Sequence, residues 1–240
     1  MTSFESYAPY AGTQAGSVEA VNEIFRKVYQ YMALGLIITA FTAYFTASSP
    51  SVLRMLFSSS APLIVIAIVE LALVIILSSM INKLSTGTAL IIFAGYSVLN
   101  GLMFSSILLV YTASSIYQAF FTTAGMFAAM SIYGIYTKRD LTSMGSFLHM
   151  GLWGLLIALV INLFVGSTML ELVTSVLGVI IFLGLTAFDT AKIKTLASEY
   201  GLNIDGTIAG RIAIIGALEL YLDFINLFLY MLRFMGKRKD

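Results

Sequence analysis

Apolar residues dominate the chain in long runs, broken by brief polar clusters. Runs of about 20 residues recur along nearly its whole length, which is what a helix needs to cross a bilayer. Seven spans are predicted, roughly 28–47, 62–81, 88–110, 116–136, 145–166, 171–191 and 209–233. The breaks are Ser48-Ser49-Pro50, Asn82-Lys83, Thr112 to Ser115, Lys138-Arg139-Asp140, Gly166-Ser167 and a longer stretch, 192–208. That last stretch holds Lys192, Lys194, Glu199, Gly201, Asn203, Asp205 and Gly206, the chemistry of a solvated loop. Pro62 fits the first turn of the second span. The predicted fold is all-α, a polytopic membrane protein.

Ahead of the first span, Met1 to Gly16 is rich in Ser, Thr, Gly and Tyr and is expected to lack fixed structure. From Val18 to Gln30 the pattern predicts a short amphipathic helix leading into the membrane. Three parts follow: a polar tail and lead-in over 1–27, a seven-helix membrane domain over 28–234, and a short basic tail over 235–240. Residues 1–27 carry no cleavable apolar leader, so the first span is expected to act as its own signal. Small residues recur every fourth position in Ser97-x-x-x-Gly101-x-x-x-Ser105 and Gly125-x-x-x-Ala129, which predicts close helix packing. No internal repeat of the inverted-transporter kind is evident.

Composition excludes the soluble alternative. Of 240 residues, 59% are apolar and only 10% charged, against about 25% charged in an ordinary soluble domain. A net charge of +1 leaves no basic surface for nucleic acid. Without cysteine there is no disulfide, thiol nucleophile or thiolate metal site. Lysines and arginines of short loops favour an N-terminus on the cytoplasmic side. Eight then lie inside (Arg26, Lys27, Lys83, Lys138, Arg139, Lys192, Lys194 and Arg211) against five outside (Arg54, Arg233, Lys237, Arg238 and Lys239). Seven spans thus put the basic C-terminal cluster outside, against the trend.

The informative chemistry is acidic. Asp189 and Asp223 lie inside oily segments, where a carboxylate costs about 2.5–3.5 kcal/mol on an insertion scale. Glu219, Asp223 and Asn226 stand at i, i+4 and i+7 of the last span and share one helix face, which must point into the bundle. Glu70 is deep within the second span. Blander roles exist: Asp189 can pair with Lys192 or Lys194 at the surface, and Asp223 can bond Asn226 or the backbone. If instead Asp189 and Asp223 meet, they cannot both ionise cheaply and share one proton. That hydrogen bond ties two helices together until the proton leaves. With water, Asp189, Asp223, Glu219, Glu70 and Asn226 could also supply part of the oxygen shell of calcium. His149, the single histidine, fits an interfacial role, and the twelve methionines fit packing.

Two segments, Gly184-Leu185-Thr186-Ala187-Phe188-Asp189-Thr190 and Tyr221-Leu222-Asp223-Phe224-Ile225-Asn226-Leu227-Phe228, resemble the Bax inhibitor-1 family, also called the transmembrane Bax inhibitor motif family. Ala67-Ile68-Val69-Glu70-Leu71-Ala72 and Thr137-Lys138-Arg139-Asp140-Leu141 agree with it, and the likeness is greatest to the bacterial inner-membrane branch. The resemblance implies seven helices with the last one central, surrounded by the first six. It further implies a pH-sensitive calcium leak, with Asp189 and Asp223 as the proton-responsive pair and Glu70 as the second-helix acid. Glu219 stands where a small polar residue is usual, Phe188 where tyrosine is common, and Asn82-Lys83 replaces an arginine cluster.

The leading expectation is a calcium leak channel without a tightly bound cofactor, working in the bilayer on calcium ions and protons. A proton-coupled ion or solute transporter is the alternative within transport, since carboxylates in a cavity also relay protons. A non-catalytic regulator binding other membrane proteins is a third class. An intramembrane aspartyl protease is disfavoured, because Asp223 lacks the preceding glycine of a Gly-x-Gly-Asp motif.

Overall fold

The computed structural model describes residues 9–200 and 206–239. Eight α-helices follow one another: α1 (Pro9–Ala47), α2 (Pro50–Phe57), α3 (Ala61–Met80), α4 (Thr86–Val110), α5 (Ala113–Tyr136), α6 (Thr142–Val165), α7 (Thr168–Tyr200) and α8 (Gly206–Met235). A 3-10 turn, Ile81–Lys83, joins α3 to α4. All but the short α2 are long and apolar enough to cross a membrane, so the chain is an integral membrane protein with seven spanning helices.

The helix ends follow from local chemistry. Ser85 caps α4, its hydroxyl accepting from the Thr88 amide at 3.1 Å, and Thr112 caps α5 in the same way through the Ser115 amide. Gly166 closes α6 with φ +64°, a left-handed conformation that glycine adopts without penalty. Asn162 fastens that turn, its side-chain oxygen accepting from the Ser167 amide at 2.9 Å.

Two expectations are corrected here. Helix α1 starts at Pro9 and runs unbroken to Ala47, so residues 9–16 are helical and the lead-in and first span are one helix. Ile24, Phe25, Val28 and Met32 are buried at helical spacing and carry the packed face down into the lead-in. Residues 1–8 lie outside the described part. Helix α7 continues to Tyr200, so Lys192, Lys194 and Glu199 are helical rather than in a loop. Ile193 and Ala197, one turn apart, are both buried and extend its packed face. The remaining loop residues 201–205 lie outside the described part.

Helix α8 is central. In its span 67% of residues are buried, against 6% for α3, and it packs on α1, α4, α5 and α7. Helices α3 and α6 form an outer layer, leaning mainly on α4 and α7 respectively. Phe164 on α6 is 86% exposed, one of many large apolar side chains on the outer layer, as suits a surface facing lipid. The two small-residue stripes part company. Ser97, Gly101 and Ser105 are buried against α1, and a Cβ at Gly101 would lie 2.7 Å from the Thr39 carbonyl oxygen. Gly125 has open space around it and Ala129 is exposed, so that stripe faces outward and packs no helix.

Opposite ends of the bundle are held by different loops. At one, the Arg211 guanidinium donates twice to the Leu84 carbonyl at 3.2 and 3.1 Å. At the other, the basic tail is laced to the α4–α5 turn: the Thr112 amide donates to Lys237 O at 3.1 Å and the Lys239 amide to Val110 O at 2.8 Å.

Candidate functional site

Asp189 lies on α7, and Asp223 lies midway along α8. The two helices pack side by side and antiparallel, and the two carboxyl groups are buried neighbours across that contact, close enough for each to act on the other. Asp189 is only 8% exposed and Asp223 only 4%. Oxygen Oδ2 of Asp223 is buried without a hydrogen-bond partner. A carboxylate only accepts hydrogen bonds, so two of them bond to each other only when one carries a proton.

The same antiparallel register builds a second contact. Three residues on from Asp189 along α7 comes Lys192; four residues back from Asp223 along α8 comes Glu219. The Lys192 ammonium donates to Glu219 Oε1 at 2.6 Å. Lys192 therefore stands among three acids, close enough for its charge to act on Asp189 and Asp223 as well. Sequence patterning placed Glu219 on the right face but did not supply its partner. The signal was present in the i+3 spacing of Lys192 from Asp189, and it needed the α7–α8 pairing to be read.

The blander partners are engaged elsewhere. Lys194 donates to the Ile135 carbonyl at 2.6 Å. Asn226 spends its amide on its own helix, donating to Leu222 O at 2.8 Å, and stays apart from the pair. Glu70 stands near Tyr96 and Tyr221, with Oε1 buried and unpartnered. Of the five groups considered for one calcium shell, Asp189, Asp223 and Glu219 stand together around Lys192, while Glu70 and Asn226 are placed elsewhere. Among the described residues, no three His, Asp or Glu side chains gather as a metal-binding group. His149 sits near the pair, its ring edge-on to Phe188 at 6.0 Å between centroids and Nδ1 2.8 Å from Gly145 O.

Two buried polar groupings escaped sequence reasoning because their members come from different helices. The Tyr221 and Thr39 hydroxyls hydrogen-bond at 2.6 Å, and Thr39 Oγ1 also lies 2.9 Å from the Ser97 carbonyl oxygen, joining α8, α1 and α4. Tyr29, Ser131 and Thr190 bring three hydroxyls together from α1, α5 and α7 beside the Asp189 end of the pair. Their oxygens are buried without protein partners, the kind of place that holds internal water. Beyond Asp223, α8 is mostly apolar, with Asn226, Tyr230 and Arg233 as its polar residues. Phe224 meets Phe120 and Phe127 edge-on at 5.7 and 5.4 Å between ring centroids, closing the bundle on that side.

Comparison with known proteins gives a consistent result. The model of a family described as inhibitor of apoptosis-promoting Bax1 matches residues 21–240. The inner membrane protein YbhL of Escherichia coli K12 is 47% identical over 213 residues, covering 89% of this chain and 91% of that one. An uncharacterized protein of Borreliella burgdorferi is 44% identical over 219 residues, covering 91% and 94%. Another, from Deinococcus radiodurans, is 40% identical over 236 residues, covering 98% and 99%.

Proposed function

The chain belongs to the Bax inhibitor-1 family, and on that premise we propose that it is a pH-sensitive calcium leak channel of the bacterial inner membrane, gated by Asp189 and Asp223. The observation that carries this reading is the buried meeting of the two carboxyl groups across the α7–α8 contact. While one proton is shared, a hydrogen bond holds α7 to α8 and the aromatic closure at Phe224 stays packed. When that proton leaves, two adjacent carboxylates repel and the contact loosens. Water then enters between the helices, and the same four oxygens become attractive to a hard cation. Calcium is cargo in this scheme. With Glu219 held by Lys192, the two aspartates suit an ion that keeps most of its water and passes on. The pair acts as latch and selector rather than as a catalytic dyad, and the N-terminus is cytoplasmic.

The orphan hydroxyls of Tyr29, Ser131 and Thr190 favour one second reading, proton-coupled transport, because hydroxyls with internal water conduct protons. Flux assays separate the two. Purified protein in liposomes loaded with a calcium dye should leak calcium down its gradient without a proton gradient, faster as pH rises. Asp223→Asn preserves shape and hydrogen bonding but removes the shared titration, so its leak should be nearly flat with pH. A leak in Asp223→Asn that keeps the native pH profile refutes the gate; calcium movement that requires a proton gradient supports the transporter instead.

A further inference from the structure

On the half of the bundle that carries the C-terminal tail, a cavity of about 420 Å³ is walled by α1, α4 and α5 and floored by α8. Ala40 and Ala43 of α1, Ile116 of α5, and Phe224 and Phe228 of α8 are among its lining residues. Helices α1 and α5 make little direct contact, so the cavity opens sideways between them. Tyr44 and Tyr117 stand exposed at its lips. A lateral slot with apolar walls in a membrane-spanning bundle opens on lipid.

Its single charged lining residue is Lys239. One N–H of that ammonium goes to the Leu108 carbonyl at 2.8 Å, and an ammonium has three to give. Arg233, Lys237 and Arg238 are exposed on the same end of the molecule, with Glu171 reaching only Arg238, at 3.7 Å. Arg233 lies over the Tyr230 ring on the α7 side, so among the described residues the mouth carries the one ammonium of Lys239, while the walls behind it are hydrocarbon-like. Tyrosines at the lips suit the headgroup boundary. We propose that this slot holds one acyl chain of an anionic phospholipid, with the headgroup phosphate against Lys239. A neutral lipid would leave the Lys239 ammonium uncompensated, and water would leave the apolar walls wet. Because Phe224 directly follows Asp223, the chain packs the apolar half of α8 just beyond the carboxyl pair. The inference goes beyond the channel reading and does not depend on it.

The test uses the full chain reconstituted in vesicles of phosphatidylcholine doped with phosphatidylglycerol, then extracted and weighed by native mass spectrometry. One phosphatidylglycerol per chain should be retained in preference to phosphatidylcholine. Lys239→Gln should cut that preference about fivefold, the effect of one basic residue near an anionic surface. Ala40→Trp, exposed on α1 and pointing no bulk into the core, should abolish retention while helix content and melting temperature stay native. Equal retention of both lipids by the native chain, an unchanged preference in Lys239→Gln, or undiminished phosphatidylglycerol in a folded Ala40→Trp would each overturn the proposal. So would a lipid-free dimer, which assigns the slot to a second copy.

Discussion

Lys192 shows how one residue changes meaning once its neighbours are known. Along the sequence it is a lysine following an apolar span; in the fold it is the cation facing Asp189, Asp223 and Glu219. Its ion pair with Glu219 is partly exposed and contributes modestly to stability. Under the proposed gate its charge also acts on the carboxyl pair, because a cation favours an ionised carboxylate beside it. Lys192→Met should therefore move the pH response of calcium leak to higher pH by roughly one unit, with Lys192→Arg restoring it. Liposome flux measured across a pH series reads this directly; a curve for Lys192→Met that overlies the native one would remove Lys192 from the gate. Tyr221 carries the matching lesson for neutral groups. Its hydroxyl was indistinguishable in the sequence from those of twelve other tyrosines, and only helix packing gave it Thr39 as a partner.

Among the elements, α5 and α7 approach each other most tightly at a glycine. A Cβ at Gly134 would lie 2.5 Å from the Ala187 carbonyl oxygen and 2.8 Å from Thr190 Cβ. Backbone cannot yield as a flexible side chain does, so Gly134→Ala should push α5 off α7 and destabilise the protein by about 1–3 kcal/mol. Thermal unfolding in detergent measures the loss, and Gly125→Ala, set in open space, is the control that should melt like the native chain. The displaced segment of α7 carries Asp189, which couples this packing contact to the candidate site. Neither glycine's role could be read from spacing: both sit in a glycine- and alanine-rich helix, and only one faces a neighbour. The extent of α7 was misjudged for a related reason. Its lysines looked like loop chemistry, while burial of Ile193 and Ala197 against the bundle kept the helix going.

For the whole molecule, seven spanning helices place residues 139 and 59 at opposite ends of the bundle. The chain has no cysteine, so single cysteines report cleanly. Under the proposed orientation, an impermeant maleimide applied to intact cells should label Ser59→Cys, and Arg139→Cys only after lysis. Labelling of both from one side would contradict seven spans, and the reverse pattern would invert the orientation. The sequence by itself determined the membrane class, the number of spans and the identity of the costly carboxylates. These follow from local quantities: the length of apolar runs, the residues that interrupt them and the expense of charge in lipid. Tertiary structure decided which acids meet, that Glu70 and Asn226 stand apart, that Glu219 takes Lys192, and where an apolar slot opens beneath Lys239. Such outcomes depend on the register between antiparallel helices, where a shift of one residue turns a side chain by about 100°. No single helix encodes that register; it is set by the packing of α8 against four others at once.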